Sequence, residues 1–301
     1  MRRFEYFAPQ SLAEAVSLLK ERGDGVKLLA GGTDLLVQMS AGGGFASGEK
    51  EAGLHPSVVV SLHALSELRG IEYDEANGLR IGSGVDMATI EAHPAVRERY
   101  TALSEGAGIV GSVQTRNMAT LGGNICNAAP SADTAPPLVV FDAVAEITGP
   151  GGARELPVGK LFAGPGTTVL APHEIVVAFR LPTLSRRTGS VYQRHTPRKI
   201  MDIAVVGVAV RLTLAGKGDT IQEARICLGA VAPTVIRAAE AEQALAGQSP
   251  SDELLAKAAA LAQAAARPIS DVRGSAEFRR YLVGVMTKRC LGIALERAKA
   301  G

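Results

Sequence analysis

Near the start of the chain Leu12, Ala15, Val16 and Leu19 recur at helical spacing, between Ser11 and a stop at Gly23. That spacing gathers them on one helix face, with Ser11 and Glu14 placed as a capping box and Gly23 as terminator. Extended segments flank this helix, "FEYFAP" before it and "VKLLAGG" after. The opening therefore predicts strand, helix, strand and a Gly-Gly turn. Residues 39–53, "MSAGGGFASGEKEAG", are rich in Gly and Ser and read as a loop, the least ordered part of the chain.

From Pro56 the pattern changes to short β-branched runs, "SVVVSL", "LRGIEYDE" and "GLRIGSGV", with "EANG" a hairpin turn. A helical segment follows Pro94, and a second hairpin turns at residues 149–152. Near residues 180–190, "RLPTLSRRTGS" breaks the pattern with Pro, Thr, Ser and charge. Beyond it come three extended runs, "SVYQRH", "DIAVVGVAVRLTL" and "TIQEARICLGAV", then helical pattern over 236–246, 252–266 and 276–299. The expectation is α+β, without the regular alternation of a doubly wound sheet. Residues 1–180 form one domain of two α+β subdomains, about 1–55 and 56–180. Residues 181–301 form a three-stranded antiparallel sheet with helices on one face.

Composition narrows the function. The 301 residues are 47% apolar and 21% charged, and 32 Lys and Arg against 30 acids leave a net charge of +2. That balance gives no reason to expect nucleic acid as a partner. Cys126, Cys227 and Cys290 are scattered and odd in number, so they build neither a disulfide framework nor a metal site. A reducing cytoplasm fits them. The opening "MRRFEYFAPQ" lacks a signal peptide's apolar run, and the most apolar segment, residues 202–214, is too short to span a bilayer.

Familiar catalytic motifs are missing. Gly159-Lys160 is followed by Leu161, which rules out a Walker A loop. Ser83 lacks the first glycine of a nucleophile elbow, His173-Glu174 lacks a zinc protease's second His, and the five histidines stand alone. "GAGIVG" at 106–111 matches a dinucleotide fingerprint by letter only, because polar, helical "RERYTALSE" precedes it where a buried strand is needed. It marks a helix end. What remains is two Gly-Gly stretches, "LLAGGTDLL" at 28–36 and "ATLGGNICNAAPSAD" at 119–133. A diphosphate needs several N–H donors converging without side chains in the way, and glycine meets that need by lacking Cβ and reaching positive φ. Thr33 can add a hydroxyl, Thr120 and Asn124 flank the second pair, and Ala128, Ala129 and Pro130 keep the wall low enough for a flat ring. Asp133 is placed to accept hydrogen bonds from ribose or ribityl hydroxyls. Two tight turns serving only the fold would show the same letters, but the pairing of two such stretches favours a dinucleotide.

At these residues the chain resembles the medium, flavin-binding subunit of molybdenum hydroxylases, the family of carbon monoxide and xanthine dehydrogenases. "AGGTDLL" and "TLGGNICNAAPSAD" are similar to its paired FAD loops, and "YQRHTPRKIMDIAVVGVAV" and "RGSAEFRRYLVGVMTKRCLGIALERA" to its later segments. The resemblance implies a FAD-binding fold of the vanillyl-alcohol-oxidase type. It also implies non-covalent FAD, and a cytoplasmic complex with a small subunit carrying [2Fe–2S] clusters and a large subunit carrying the molybdenum cofactor, as a dimer of heterotrimers. By position, Leu28, Leu29, Ala30, Gly31, Gly32, Thr33, Asp34 and Leu35 would line the FAD diphosphate together with Thr120, Leu121, Gly122, Gly123 and Asn124. Val110 would also touch the cofactor, Asp133 would bind the ribityl or ribose region, and Val176 and Arg194 would lie near the isoalloxazine. A fixed cation at Arg194 would favour a negatively charged reduced ring.

Such a subunit passes electrons from the clusters through FAD to an acceptor and needs no acid–base pair, since the cofactor carries the chemistry. A self-sufficient FAD oxidase of the same fold is the alternative, and a scaffold without flavin a third. The roughly hundred-residue tail is short and Ala-rich for a substrate domain.

Overall fold

The computed structural model describes residues 3–23, 25–40, 54–198, 201–216 and 218–301. The chain opens with β1 (Glu5–Phe7), α1 (Leu12–Arg22), β2 (Val26–Leu29), α2 (Leu35–Ser40) and β3 (Val58–Ser61). Ser11 Oγ accepts from Glu14 N–H at 3.2 Å, and α1 buries Ala15 and Leu19, as its spacing predicts. The three strands form a parallel sheet in the order β1-β3-β2. β3 lies in the middle, which explains its unbroken Val58-Val59-Val60, since a central parallel strand is apolar on both faces. This sheet runs to Ser61, past the change of texture at Pro56. Met39 and Ser40, expected in a loop, are helical: they form the end of α2, and Met39 is buried. The rest of that Gly-Ser stretch, residues 41–53, lies outside the described residues.

Next come β4 (Ile71–Asp74), β5 (Gly78–Gly82) and six short helices. These are α3 (Met87–Ala92), α4 (Pro94–Arg99), α5 (Thr101–Gly108), α6 (Val113–Arg116), α7 (Leu121–Cys126) and α8 (Ala135–Val140). After them follow β6 (Val144–Gly149), β7 (Gly152–Pro157), a ribbon of β8 (Phe162–Gly164) and β9 (Thr167–Thr168), and β10 (Ile175–Leu181). The two expected hairpins, β4–β5 and β6–β7, join through β10 into a five-stranded antiparallel sheet. The first hairpin turns on Asp74, whose Oδ1 accepts from Ala76 and Asn77 N–H at 2.8 and 2.7 Å. α5 stops at Gly108, so "GAGIVG" does mark a helix end. Tyr100 and Phe141 meet edge to face in the core, 5.2 Å between centroids, and Tyr100 Oη donates to Pro182 O at 2.8 Å.

The C-terminal part has β11 (Thr188–His195), β12 (Val206–Leu214), β13 (Ile221–Gly229), β14 (Ile236–Arg237), α9 (Ala239–Leu245), α10 (Asp252–Ala265) and α11 (Ala276–Ala300). Its antiparallel sheet has four strands rather than three. Ile236 and Arg237, expected to begin a helix, instead pair with Leu228 and Cys227. The exposed edge of β13 explains the difference. Its donors and acceptors need partners, and β14, Ala238 N–H to Ile226 O (2.9 Å) and Ile226 N–H to Glu242 Oε1 (2.8 Å) supply them. Every residue of β12 is buried, because the sheet is covered on both faces. α11 and α9 cover one, with α10 packed on both of them, and α5 and α8 of the preceding domain cover the other.

Ion pairs stitch the same seam: Asp142 accepts from Arg211 at 2.9 Å and Arg225 at 3.2 Å, and Arg297 reaches Glu105 at 2.7 Å. Gly189 lets β11 lie directly on α11, since a Cβ there would overlap Ala294 O and stand 2.9 Å from Arg297 Cβ. Gly189→Ala should therefore cost about 1–3 kcal/mol, as overpacking does. A lower urea midpoint by far-UV circular dichroism checks this; an unchanged midpoint means that helix and strand can part freely.

Candidate functional site

The first Gly-Gly stretch links β2 to α2. Gly32 takes φ +73°, and its carbonyl accepts Leu36 N–H at 3.0 Å, which closes the turn. Gly31 rests against the second stretch so closely that a Cβ would overlap the Met118 carbonyl oxygen. Among the described residues, the N–H groups of Gly31, Gly32, Thr33 and Asp34 find no acceptor. Four successive unmatched donors in a turn form a concave, partly positive surface suited to an anion.

The second stretch is built differently. Thr120 caps α7, its Oγ1 accepting from Gly123 N–H at 3.1 Å. Leu121 N–H donates to Val85 O at 3.0 Å and Gly122 N–H to Ser83 O at 2.8 Å. The expectation of positive φ does not apply here, because both glycines are helical. Gly122 serves close approach instead: a Cβ would meet Ser83 Cβ at 2.7 Å. Asn124 Oδ1 accepts from Thr134 Oγ1 at 2.6 Å. This stretch is a rigid floor whose first donors are already engaged.

Between the two stretches lies a cleft of about 920 Å³. Leu28, Ala30, Gly31, Gly32, Thr33, Asp34, Leu35, Val110, Thr120, Gly122, Gly123, Asn124, Asp133, Val176 and Arg194 all line it. Leu29 and Leu121 do not: Leu29 packs behind Gly32, and Leu121 is fully buried beneath the floor. Ala129 is on the wall, whereas Ala128 is buried.

One wall carries a buried polar cluster. Tyr192 Oη donates to Asp133 Oδ1 at 2.8 Å, and Arg194 Nη1 donates to Asp133 Oδ2. Tyr192 and Arg194 point the same way from β11, two residues apart as strand geometry requires, so the C-terminal domain reaches into the first. Burial pushes Asp133 up to about 6, against the pull of the Arg194 charge and the Tyr192 hydrogen bond. Burial, and then the Asp133 charge, raise the Tyr192 phenol well above its ordinary range and keep it a neutral donor. Burial likewise pushes Cys126 up to about 12, which makes it a poor nucleophile. Arg194 is thus held fixed, and its charge is compensated by Asp133. No cluster of three or more His, Cys, Asp or Glu able to hold a metal occurs among the described residues.

Residues 2–184 match the family description "FAD binding domain in molybdopterin dehydrogenase", and residues 192–294 match "CO dehydrogenase flavoprotein C-terminal domain". The chain belongs to this family of FAD-binding subunits. The xanthine dehydrogenase FAD-binding subunit of Escherichia coli O157:H7 is 35% identical over 97% of this chain and 96% of its own. The carbon monoxide dehydrogenase medium chain of Hydrogenophaga pseudoflava is 34% identical over 98% of each chain. A solved carbon monoxide dehydrogenase from Hydrogenophaga pseudoflava, lacking the Mo-pyranopterin moiety of its molybdenum cofactor, superposes with TM-score 0.90 at 34% identity, covering 98% of both chains.

Within this family frame, several cleft residues escaped the sequence reading. Ser83, dismissed as an incomplete nucleophile elbow, is instead the stop against which Gly122 sits, and glycines on both its sides were the available signal. Tyr192 could have been found from its strand alternation with Arg194. Met118, Lys27 and Arg69 carried no local signal.

Gly31→Ala should push the two stretches apart. A displacement cost of about 1–3 kcal/mol corresponds to roughly ten- to hundredfold weaker flavin binding, read by titrating FAD into apoprotein; unchanged affinity would remove the Gly31 contact from the site. Asp133 gives a second expectation. Its folded value of about 6 exceeds the ordinary carboxylate value of 3.8, so between the two the folded state holds a proton that the unfolded chain has released. This group's contribution is therefore present below pH 3.8 and lost as pH rises through about 6. Asp133→Asn should flatten the fall in melting temperature across that window; an identical slope in the variant shows that other groups set it.

Proposed function

We propose that this chain is the FAD-binding electron-transfer subunit of a heteromeric molybdenum hydroxylase. The observation that carries the proposal is the run of four backbone donors, Gly31 to Asp34, that meet no acceptor among the described residues and line a cleft of about 920 Å³ in a chain of this family. Those donors would hold the FAD diphosphate, with the Thr33 hydroxyl beside them. Thr120, Leu121, Gly122, Gly123 and Asn124 form the floor that keeps the diphosphate in reach. Val110 closes the wall, Asp133 offers its remaining lone pairs to ribityl or ribose hydroxyls, and Val176 and Arg194 flank the ring.

Bound FAD supplies the electron exchange. The protein's share is position, electrostatics and exclusion of water. The Tyr192–Asp133–Arg194 cluster fixes the wall without leaving a net charge against the ring. No residue of the chain is assigned a catalytic role, and the raised Cys126 thiol agrees with that.

The two halves of the first domain, a parallel sheet beside a five-stranded antiparallel one, support a fold of the vanillyl-alcohol-oxidase type. The relatives are named as a FAD-binding subunit and as a medium chain. This supports partners: a small subunit with [2Fe–2S] clusters and a large subunit with the molybdenum cofactor, doubled by symmetry. Three free cysteines support work in the cytoplasm. Among the described residues no helix is long and apolar enough to cross a membrane.

The pure chain should carry about one FAD held without a covalent bond, so acid precipitation releases all its yellow colour, while colour left in the pellet would mean a tethered flavin. Alone it should turn over no organic substrate. Co-expressed with its partner subunits, its flavin should become reducible by the complex's substrate. Efficient turnover by the lone chain would replace this proposal with a self-sufficient oxidase.

A further inference from the structure

One buried guanidinium holds three pieces of the cleft wall from behind. Arg279, in the first turn of α11, is 3% exposed. Its Nη1 donates to Val205 O at 2.8 Å and to Ala230 O at 3.2 Å, and its Nη2 to Asp271 Oδ1 at 2.6 Å. Each acceptor leads to the cleft. Val205 N–H donates to His195 O at 2.9 Å, which closes the base of the segment between β11 and β12. From that segment Met201, Asp202, Ile203 and Ala204 line the cleft, just beyond Arg194. Ala230 N–H donates to Pro130 O at 2.7 Å, and Pro130 belongs to the loop that carries Asp133. Asp271 Oδ1 also accepts Arg273 N–H at 2.8 Å, and Arg273 lines the cleft as well.

Two features set this apart from ordinary packing. A buried charge pair is a poor device for stability alone, because apolar side chains of similar volume often serve as well or better. What the guanidinium adds is direction: a planar fork reaches two carbonyls and a carboxylate from separate segments at once. The second feature is Ala230, which takes φ +62°. A residue with a Cβ keeps that conformation only when its surroundings hold it there. Pro130 holds the Ala230 N–H and Arg279 its carbonyl, so freeing one side lets the residue relax and move Pro130 with it.

We infer that Arg279 is a positioning residue for flavin binding, an inference that rests on the proposed function above. Arg279 does not itself line the cleft. It acts through Val205 and Ala230, which fix the segment after Arg194 and the loop before Asp133, so that the Asp133–Arg194 pair stands in one place.

The test titrates FAD into the full chain as apoprotein. Arg279→Lys keeps the charge but loses the fork, and should bind FAD about tenfold more weakly, the scale of one lost hydrogen bond to a charged group. Asp271→Asn, a milder change of the same shape, should weaken binding in the same direction. It carries the titration and the coupling below if Arg279→Lys does not fold. Leu255→Ala separates position from stability, since Leu255 is buried in the core of the same domain on α10 and does not line the cleft. That variant should melt earlier and bind FAD as the wild type does. The second readout is coupling to the wall. Arg279→Lys combined with Asp133→Asn should lose at least about threefold less affinity than the product of the two single losses, because a displaced wall no longer gains from Asp133. Wild-type affinity in Arg279→Lys and Asp271→Asn overturns the inference. So do single losses that simply multiply, or an equal loss in Leu255→Ala. A wild-type chain that binds no FAD overturns the proposed function itself, a result distinct from a wild type and variants that bind it equally.

Discussion

A backbone N–H that meets no acceptor is costly to bury and useful only when something else is meant to meet it. Among the described residues the cleft presents four such groups in succession, from Gly31 to Asp34, on a partly exposed turn. Their direction is set by Gly32 at positive φ, and their position by Gly31 lying on the Met118 carbonyl, where no side chain fits. The first stretch is thus shaped by the second. The second can act as a template because it has satisfied itself: Thr120 caps it, while Val85 and Ser83 take the donors of Leu121 and Gly122. One glycine stretch is saturated and stiff, and the other is unsaturated and held in place by it. Their similar letters hide opposite jobs.

The same division governs the charges. An isolated guanidinium in the cleft wall would be expensive to bury, whereas Arg194 arrives with Asp133 already attached and Tyr192 oriented on the carboxylate. The pair joins β11 of the C-terminal domain to the loop that follows the floor of the first, so the geometry of the wall depends on the domain seam. That seam is apolar on both faces of β12 and bordered by the Asp142 and Glu105 ion pairs. Loosening it would move the wall. The C-terminal domain is in this sense part of the cleft, although most of the lining comes from the first domain.

Much of this was legible because the signals are local. The cap at Ser11, the hairpin at Asp74 and the arrest of α5 at Gly108 each depend on a few adjacent residues. The two Gly-Gly stretches were legible as places where backbone approaches something, but not what it approaches. Gly122 faces Ser83 and Gly31 faces Met118, contacts made only after strands distant in sequence have paired. Tyr192 and Asp133 stand 59 positions apart, and no local period connects them. The parallel pairing of β3 between β1 and β2 was hidden for the same reason, since register across a long connection is set by burial rather than by a turn. β14 was missed because two residues are too few to show a period, and a helical pattern follows at once.

What the wall withholds also bears on function. A group useful for acid–base catalysis needs a pKa near working pH and freedom to exchange its proton with a substrate. Cys126 is pushed up to about 12 and Tyr192 well above its ordinary range, so neither gives up a proton near neutrality. Asp133, at about 6, has the value of a general base but not the freedom, because one oxygen holds Tyr192 and the other Arg194. Taking up a proton would strand a buried guanidinium, and that coupling ties its ionisation to the integrity of the wall rather than to a reacting molecule. The cleft is therefore rigid in shape and in charge. Rigidity of both kinds suits electron transfer, in which a fixed environment sets how readily a bound cofactor accepts and yields electrons, and it suits proton-driven catalysis poorly.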